Sequence, residues 1–78
     1  MSVSAYVLIQ TEVGKAASVA ESVGRIDGVL TAEDVTGPYD VIVRVESETM
    51  DDVAKTVVSR IQMVDGITRT LTCPVVHL

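Results

Sequence analysis

The densest chemistry in this sequence lies in five consecutive residues, Thr36-Gly37-Pro38-Tyr39-Asp40. A tight Gly-Pro turn exposes backbone N–H groups, and here it stands beside a carboxylate and a phenolic hydroxyl. That set of donors and acceptors suits the clamping of a zwitterion. On the residues alone the commoner outcome is a plain turn with Tyr39 at its rim. A second group is Thr68, Thr70 and Thr72, three hydroxyls at period two that fall on one face of a strand. Threonine is also a good strand former on any wet face, so the spacing by itself does not make a site.

Other chemistry is sparse. The sequence has no Ser/His/Asp set, no paired cysteines, no HExxH and no Gly-rich phosphate loop. His77 stands one residue from the C-terminus, where a histidine is usually a solvated tail rather than a base or ligand. Cys73 is the single cysteine, and within a strand pattern it reads as a small apolar residue with nothing basic beside it. The acidic neighbours Glu33-Asp34 and Asp51-Asp52 diverge from each other, on a strand or on a helix, and read as solvated surface. Neither a catalytic centre, a metal nor a cofactor is expected.

Size and charge narrow the classes further. Seventy-eight residues make one domain, residues 1–78, and a chain this short buries only about 60% of its unfolded surface when it folds alone. With no disulfide to help, a partner subunit is the expected support. The net charge of −5 repels phosphate backbones, which argues against direct nucleic-acid binding. No apolar run is long enough for a membrane span, and Met1 to Gln10 lacks the basic start of a secretory signal. A cytoplasmic location is expected.

The elements that must position these residues come from an internal repeat. Asp27-Gly28-Val29 returns 38 positions later as Asp65-Gly66-Ile67, and Ala16, Val19, Ala20 and Val23 return as Ala54, Val57, Val58 and Ile61. Each copy opens with alternation, Val3, Ala5, Val7 and Ile9 in the first and Val41, Val43 and Val45 in the second, which predicts strands. Helical spacing follows: Val13, Ala16, Ala17, Ala20, Val23 and Gly24, then Met50, Val53, Ala54, Val57, Val58 and Ile61, the latter opened by Thr49 with Asp52 three residues on. Two more strands, 29–36 and 67–76, complete the order β-α-β-β-α-β.

That order predicts an α+β ferredoxin-like fold, the split βαβ arrangement. Two right-handed crossovers deliver both helices to one face of a four-stranded antiparallel sheet. The open face then carries Ser4, Tyr6, Leu8 and Gln10 from the first strand, and Asp40, Ile42, Arg44 and Glu46 from the strand after the Gly-Pro turn. With Leu30 and Val76 it is too apolar to stay wholly wet, and it reads as a sheet-to-sheet dimer interface.

The run Val35 to Val45, followed by Gly66-Ile67-Thr68-Arg69-Thr70-Leu71-Thr72, resembles the effector-binding domain of the Lrp/AsnC, or feast/famine, transcription regulators, also called the RAM domain. The resemblance runs from Ala5 to Val76 in element order, length and both motifs. It implies a small-molecule sensor, in which dimers form through the sheets, assemble into rings, commonly tetramers of dimers, and bind amino acids between neighbouring dimers. By the same resemblance Gly37, Tyr39 and Asp40 match the effector loop, with Pro38 at its variable position. Thr70 and Thr72 match the strand that faces this loop across a subunit boundary. Amides after Gly37 would take the carboxylate, Asp40 the α-ammonium, and the threonines would add neutral hydrogen bonds.

The sequence starts directly at its first strand, so it resembles the stand-alone form without the helix-turn-helix, and DNA binding is not carried over. A sensor of this kind would act through partner proteins, among them a full-length regulator of the same family. Two other readings compete. A small enzyme of the dimeric α/β-barrel type needs an aromatic- and His-lined cavity, and this chain has only Tyr6, Tyr39 and His77. An ACT-type amino-acid-binding module would centre on the turn Glu12-Val13-Gly14-Lys15 instead.

Overall fold

A computed structural model describes residues 2–76 of the chain. Strand β1 spans Val3–Thr11, helix α1 Ala16–Gly24, β2 Val29–Asp34, β3 Val41–Ser47, helix α2 residues 50–62, and β4 Ile67–Pro74. The strands form one antiparallel sheet in the order β2-β3-β1-β4, as the ferredoxin-like arrangement requires. The two repeats therefore contribute the inner strands β1 and β3, and β2 and β4 are the edges.

Alternation decides which side each residue takes. Ala5, Val7 and Ile9 of β1 pair with Val45, Val43 and Val41 of β3, and all six are buried against Val19, Ala20 and Val23 of α1 and Val53, Val57 and Ile61 of α2. This aliphatic layer is the core, and burying a side chain of the Val or Ile type contributes about 1.5–3 kcal/mol. The opposite face carries Tyr6, Leu8, Ile42 and Arg44, with Leu71 and Cys73 of β4 alongside. No helix covers it.

Several expectations are corrected. Val13, placed on the α1 stripe by spacing, is fully exposed in the turn before the helix, because Lys15 N–H donates to the Glu12 carbonyl and winding begins only at Ala16. Ala17 and Ala54 also face solvent, at the margins of their stripes. β2 ends at Asp34 rather than Thr36, and β4 at Pro74 rather than Val76, where proline removes a donor from the ladder. Ser4 does stand on the open side, yet it is buried, its hydroxyl within reach of Arg44. His77 lies outside the described residues.

Helix α2 departs from the regular helix that its spacing predicts. Residues Val53–Val58 are wound as a π-helix between two short α-helical turns. The buried residues Val53, Val57 and Ile61 are spaced by four and four. On a 3.6-residue helix that spacing drifts by about 80° over the two steps. A wider turn offsets the drift and keeps all three on the sheet.

Candidate functional site

The loop between β2 and β3, residues 35–40, is fixed at both ends by the sheet it leaves. Val35 N–H donates to the Asp40 carbonyl at 2.8 Å, closing the loop on itself, and Asp40 N–H donates to the Ile9 carbonyl at 2.8 Å, tying it to β1. Two side chains add to this. Gln10 Nε2 donates to the Pro38 carbonyl at 3.1 Å, and Asp40 Oδ2 accepts from the Thr11 backbone N–H at 2.8 Å. At the tip Gly37 and Pro38 are exposed, with Gly37 at φ +140° and open space where a side chain would stand. Tyr39 and Asp40 are half-buried.

Asp40 thus has a structural task that sequence reasoning did not assign to it. One carboxylate oxygen holds the end of β1, while among the described residues no donor is recorded on the other and no cation pairs with the group. Gln10, which alternation marks only as one more outward residue, is the second strap on the loop. Its alternation was legible, but its reach to Pro38 was not.

The threonines stand across β1 from this loop. Thr70 pairs with Ile9 and Thr72 with Val7, so both share the helix side of the sheet, at its β4 edge, and both are half-buried. Thr68 does not continue their row. A register shift between Gln10 and Thr11 makes it the extra residue of a bulge, and its hydroxyl donates to the Gln10 carbonyl at 3.2 Å. The three hydroxyls expected on one face are therefore two plus a bulge residue. The loop and Thr70 lie at the same end of the sheet but on opposite flanks of β1, with Thr72 nearer its middle. At a strand spacing of about 4.8 Å, two spacings put Thr70 about 10 Å from the loop, and Thr72, two residues further along β4, lies about 14 Å from it.

Two clefts flank this end. One of about 260 Å³ is lined by Gln62, Ile67, Thr68, Arg69 and Thr70, and so adds Gln62 and Arg69 to the threonine side. The other, of about 540 Å³, is lined by Ala16, Asp34, Val35 and Thr36, between the start of α1 and the loop. Only the tertiary fold brings Gln62 of α2 beside β4, and no spacing in the sequence signals it. Among the described residues no three His, Cys, Asp or Glu side chains gather as a metal site, and no helix is long and apolar enough to cross a membrane.

The same architecture recurs in solved structures. TTHA0845 from Thermus thermophilus superposes with a TM-score of 0.88 at 25% identity, over 97% of this chain and 95% of that one. A hypothetical protein from Pyrococcus horikoshii, PHS023, gives 0.86 at 32% identity, over 97% and 92%. A transcriptional regulator from Neisseria meningitidis, NMB0573, solved as its L-Met complex, gives 0.80 at 18% identity, over 96% of this chain and 50% of that one, which is a likeness of fold. No curated protein sequence matches. The family model of the Lrp/AsnC ligand binding domain matches residues 4–77, nearly the whole chain. The chain belongs to the Lrp/AsnC ligand-binding domain family.

Proposed function

We propose that residues 1–78 form a single RAM-type regulatory domain that binds an amino acid between copies of itself. In this reading the chain dimerises through its open sheet face, the dimers assemble further, as tetramers of dimers in the family's common form, and the protein works in the cytoplasm through partner proteins. A full-length Lrp/AsnC regulator is the partner of first choice, and DNA is not contacted by this domain. The neisserial regulator, with its L-Met, supports an amino acid as the ligand.

One observation carries the proposal. The loop with Gly37, Pro38, Tyr39 and Asp40 is held rigid by four hydrogen bonds, yet among the described residues no donor is recorded on Asp40's second carboxylate oxygen. Thr70 and Thr72, the matching half, lie about 10 and 14 Å away across β1. The ammonium and carboxylate of an α-amino acid flank a single carbon and do not span that gap. A ligand that uses both halves takes the loop of one copy and the threonines of another, so the site is complete only in the assembly.

The test is a thermal-unfolding screen against the proteinogenic amino acids at millimolar concentration, read by circular dichroism because the chain has no Trp. A ligand confined to the folded state and present at a hundred times its Kd adds about 2.7 kcal/mol of stability. In a chain of this size that raises the midpoint by about 10–20 °C. A selective rise for one amino acid or a chemical subset supports the reading, and no rise with any of them overturns it.

A further inference from the structure

We propose that the amino acid taken by this chain carries a side-chain carboxyl or carboxamide, and that Gln62 at the end of α2 selects it. The inference rests on the reading above, in which Thr70 and Thr72 form one half of the ligand site. It deepens that reading by fixing what the ligand's side chain must offer.

The place of that side chain follows from the cleft that begins at Thr70. It has a volume of about 260 Å³ and is lined by Gln62, Ile67, Thr68, Arg69 and Thr70. That falls just short of the roughly 300–1,000 Å³ of sites for drug-sized molecules, as suits a single amino acid. The cleft between α1 and the loop contains none of the threonines. An amino acid held at Thr70 and by another copy's loop therefore has the first cleft as the space for its side chain.

The walls of this cleft are polar. Ile67 is its one purely apolar residue, half-buried against the core, and the Thr68 hydroxyl already donates to the Gln10 carbonyl. Gln62 is exposed, and among the described residues its carboxamide has no recorded partner. The ladder adds backbone groups. Val75 N–H donates to the Ser4 carbonyl, whereas the Ile9 carbonyl accepts from Asp40 N–H on the other flank of β1. In an antiparallel ladder the N–H and C=O of one residue point the same way, and the direction alternates along the strand. Tyr6 and Leu8 therefore bond toward β4, to Cys73 and Leu71, and the N–H and C=O of Thr70 and Thr72 are turned to the free edge. No carboxylate lines this cleft, whereas Asp34 lines the other. Arg69, opposite Gln10, belongs to the open side of the sheet and meets the cleft at the free edge.

An apolar side chain laid here strips water from these groups and returns no hydrogen bond, and a site built of such groups rejects a ligand of that kind. A planar carboxyl or carboxamide replaces the water. Its oxygen accepts from Gln62 Nε2, and a carboxamide also donates to Gln62 Oε1. A carboxylate instead gains the attraction of Arg69, which opposes a basic side chain.

The thermal-unfolding screen, run on the wild type, Gln62→Leu and Gln62→Glu, tests this, with calorimetric titration of each amino acid that raises the midpoint and far-ultraviolet circular dichroism to confirm folding. In the wild type the midpoint rises with Asp, Asn, Glu or Gln and not with Leu, Ile, Val, Met or Phe. Gln62→Leu weakens that ligand about tenfold and turns the preference toward apolar amino acids of similar length. Gln62→Glu separates the two side-chain forms: it weakens an acidic ligand by like charge and keeps an amide ligand within about threefold, since the new carboxylate still accepts from the amide. Preference of the wild type for any other amino acid, or Gln62→Leu affinity within twofold of wild type, overturns the inference and leaves the amino-acid site standing. No rise with any amino acid overturns both.

Discussion

Asp40 is the residue at which holding the fold and holding a ligand can be separated by experiment. Its Oδ2 accepts the Thr11 N–H at 2.8 Å, and the group is half-buried. A hydrogen bond to a charged group contributes about 1.5–3 kcal/mol, and partial exposure lowers that to roughly 1–2 kcal/mol. Asp40→Ala removes this acceptor and therefore lowers the midpoint of unfolding by about 5–10 °C in a domain of this length. Asp40→Asn retains an oxygen of the same reach for Thr11 and costs less than about 1 kcal/mol. The ligand sees the reverse balance, because both substitutions delete the charge that an α-ammonium would meet. A pair of unit charges 4 Å apart near a protein surface attracts by about 4 kcal/mol before desolvation is counted, so the net loss on Asp40→Asn is at least tenfold in Kd. Urea denaturation of the three proteins without ligand, followed by calorimetric titration with the amino acid found in the screen, measures both effects. Asp40→Asn binding within twofold of wild type refutes the ammonium contact and leaves Asp40 as a strap. Equal stability of the Ala and Asn variants refutes the strap.

Three further outcomes follow from local geometry. Thr70→Val keeps the shape of a half-buried side chain whose hydroxyl has no recorded partner among the described residues, so stability stays within about 0.5 kcal/mol while calorimetric affinity falls about three- to tenfold; lost stability with unchanged affinity would contradict this. Gly28→Ala places a Cβ 2.8 Å from Val57 Cγ2 at φ +94°, whereas Gly14→Ala at φ +81° meets nothing within 4 Å. The first costs about 2–4 kcal/mol and the second about 1, and equal urea midpoints for the two would show that contact with α2 is not the cause. Thr49 Oγ1 accepts the Asp52 N–H at 3.1 Å at the start of α2, so Thr49→Ala costs about 1 kcal/mol in the same assay and Thr49→Ser is close to neutral.

What the sequence made legible was whatever depends on side-chain period. Val41, Val43 and Val45 alternate, and so do Ala5, Val7 and Ile9, and burial follows both rows without exception. The element order and the choice of face follow from that. Period failed wherever one residue more or less changes the count. Thr68 counts with Thr70 and Thr72 in the sequence, yet the bulge opposite Gln10 and Thr11 takes it out of their row. Val13 fits a helical stripe by spacing, but the turn at Glu12 holds it outside the helix. The winding of Val53–Val58 was hidden for the opposite reason, since residues four apart suit an α-helix and a wider turn about equally well. In the loop, Gly37 to Asp40 stood out by residue type. The bonds from Gln10 and from the Thr11 backbone cross 28 and 29 positions, and no local pattern announces them.

Asp40 stands at one end of β3 and the open face extends along the strand away from it, which in the proposed assembly has a consequence for regulation. Asp40 immediately precedes β3, whereas Arg44 and Glu46 sit four and six residues further on, about 14 and 20 Å away along an extended chain. β3 is an inner strand, bonded on both sides and buried by Val41, Val43 and Val45 between these sites. Sites this far apart without shared partners behave nearly additively. In the proposed assembly a ligand at the loop would therefore not act by tightening or loosening the sheet dimer. Its leverage would fall on the proposed contact that brings another copy's Thr70 and Thr72 to the loop, because only there would it touch both sides. Ligand shifts that contact by its differential affinity for the joined and separate forms and by nothing else. In the proposed assembly the sheet dimer is the constant building block, and the number of blocks that stay together is the quantity an amino acid would set.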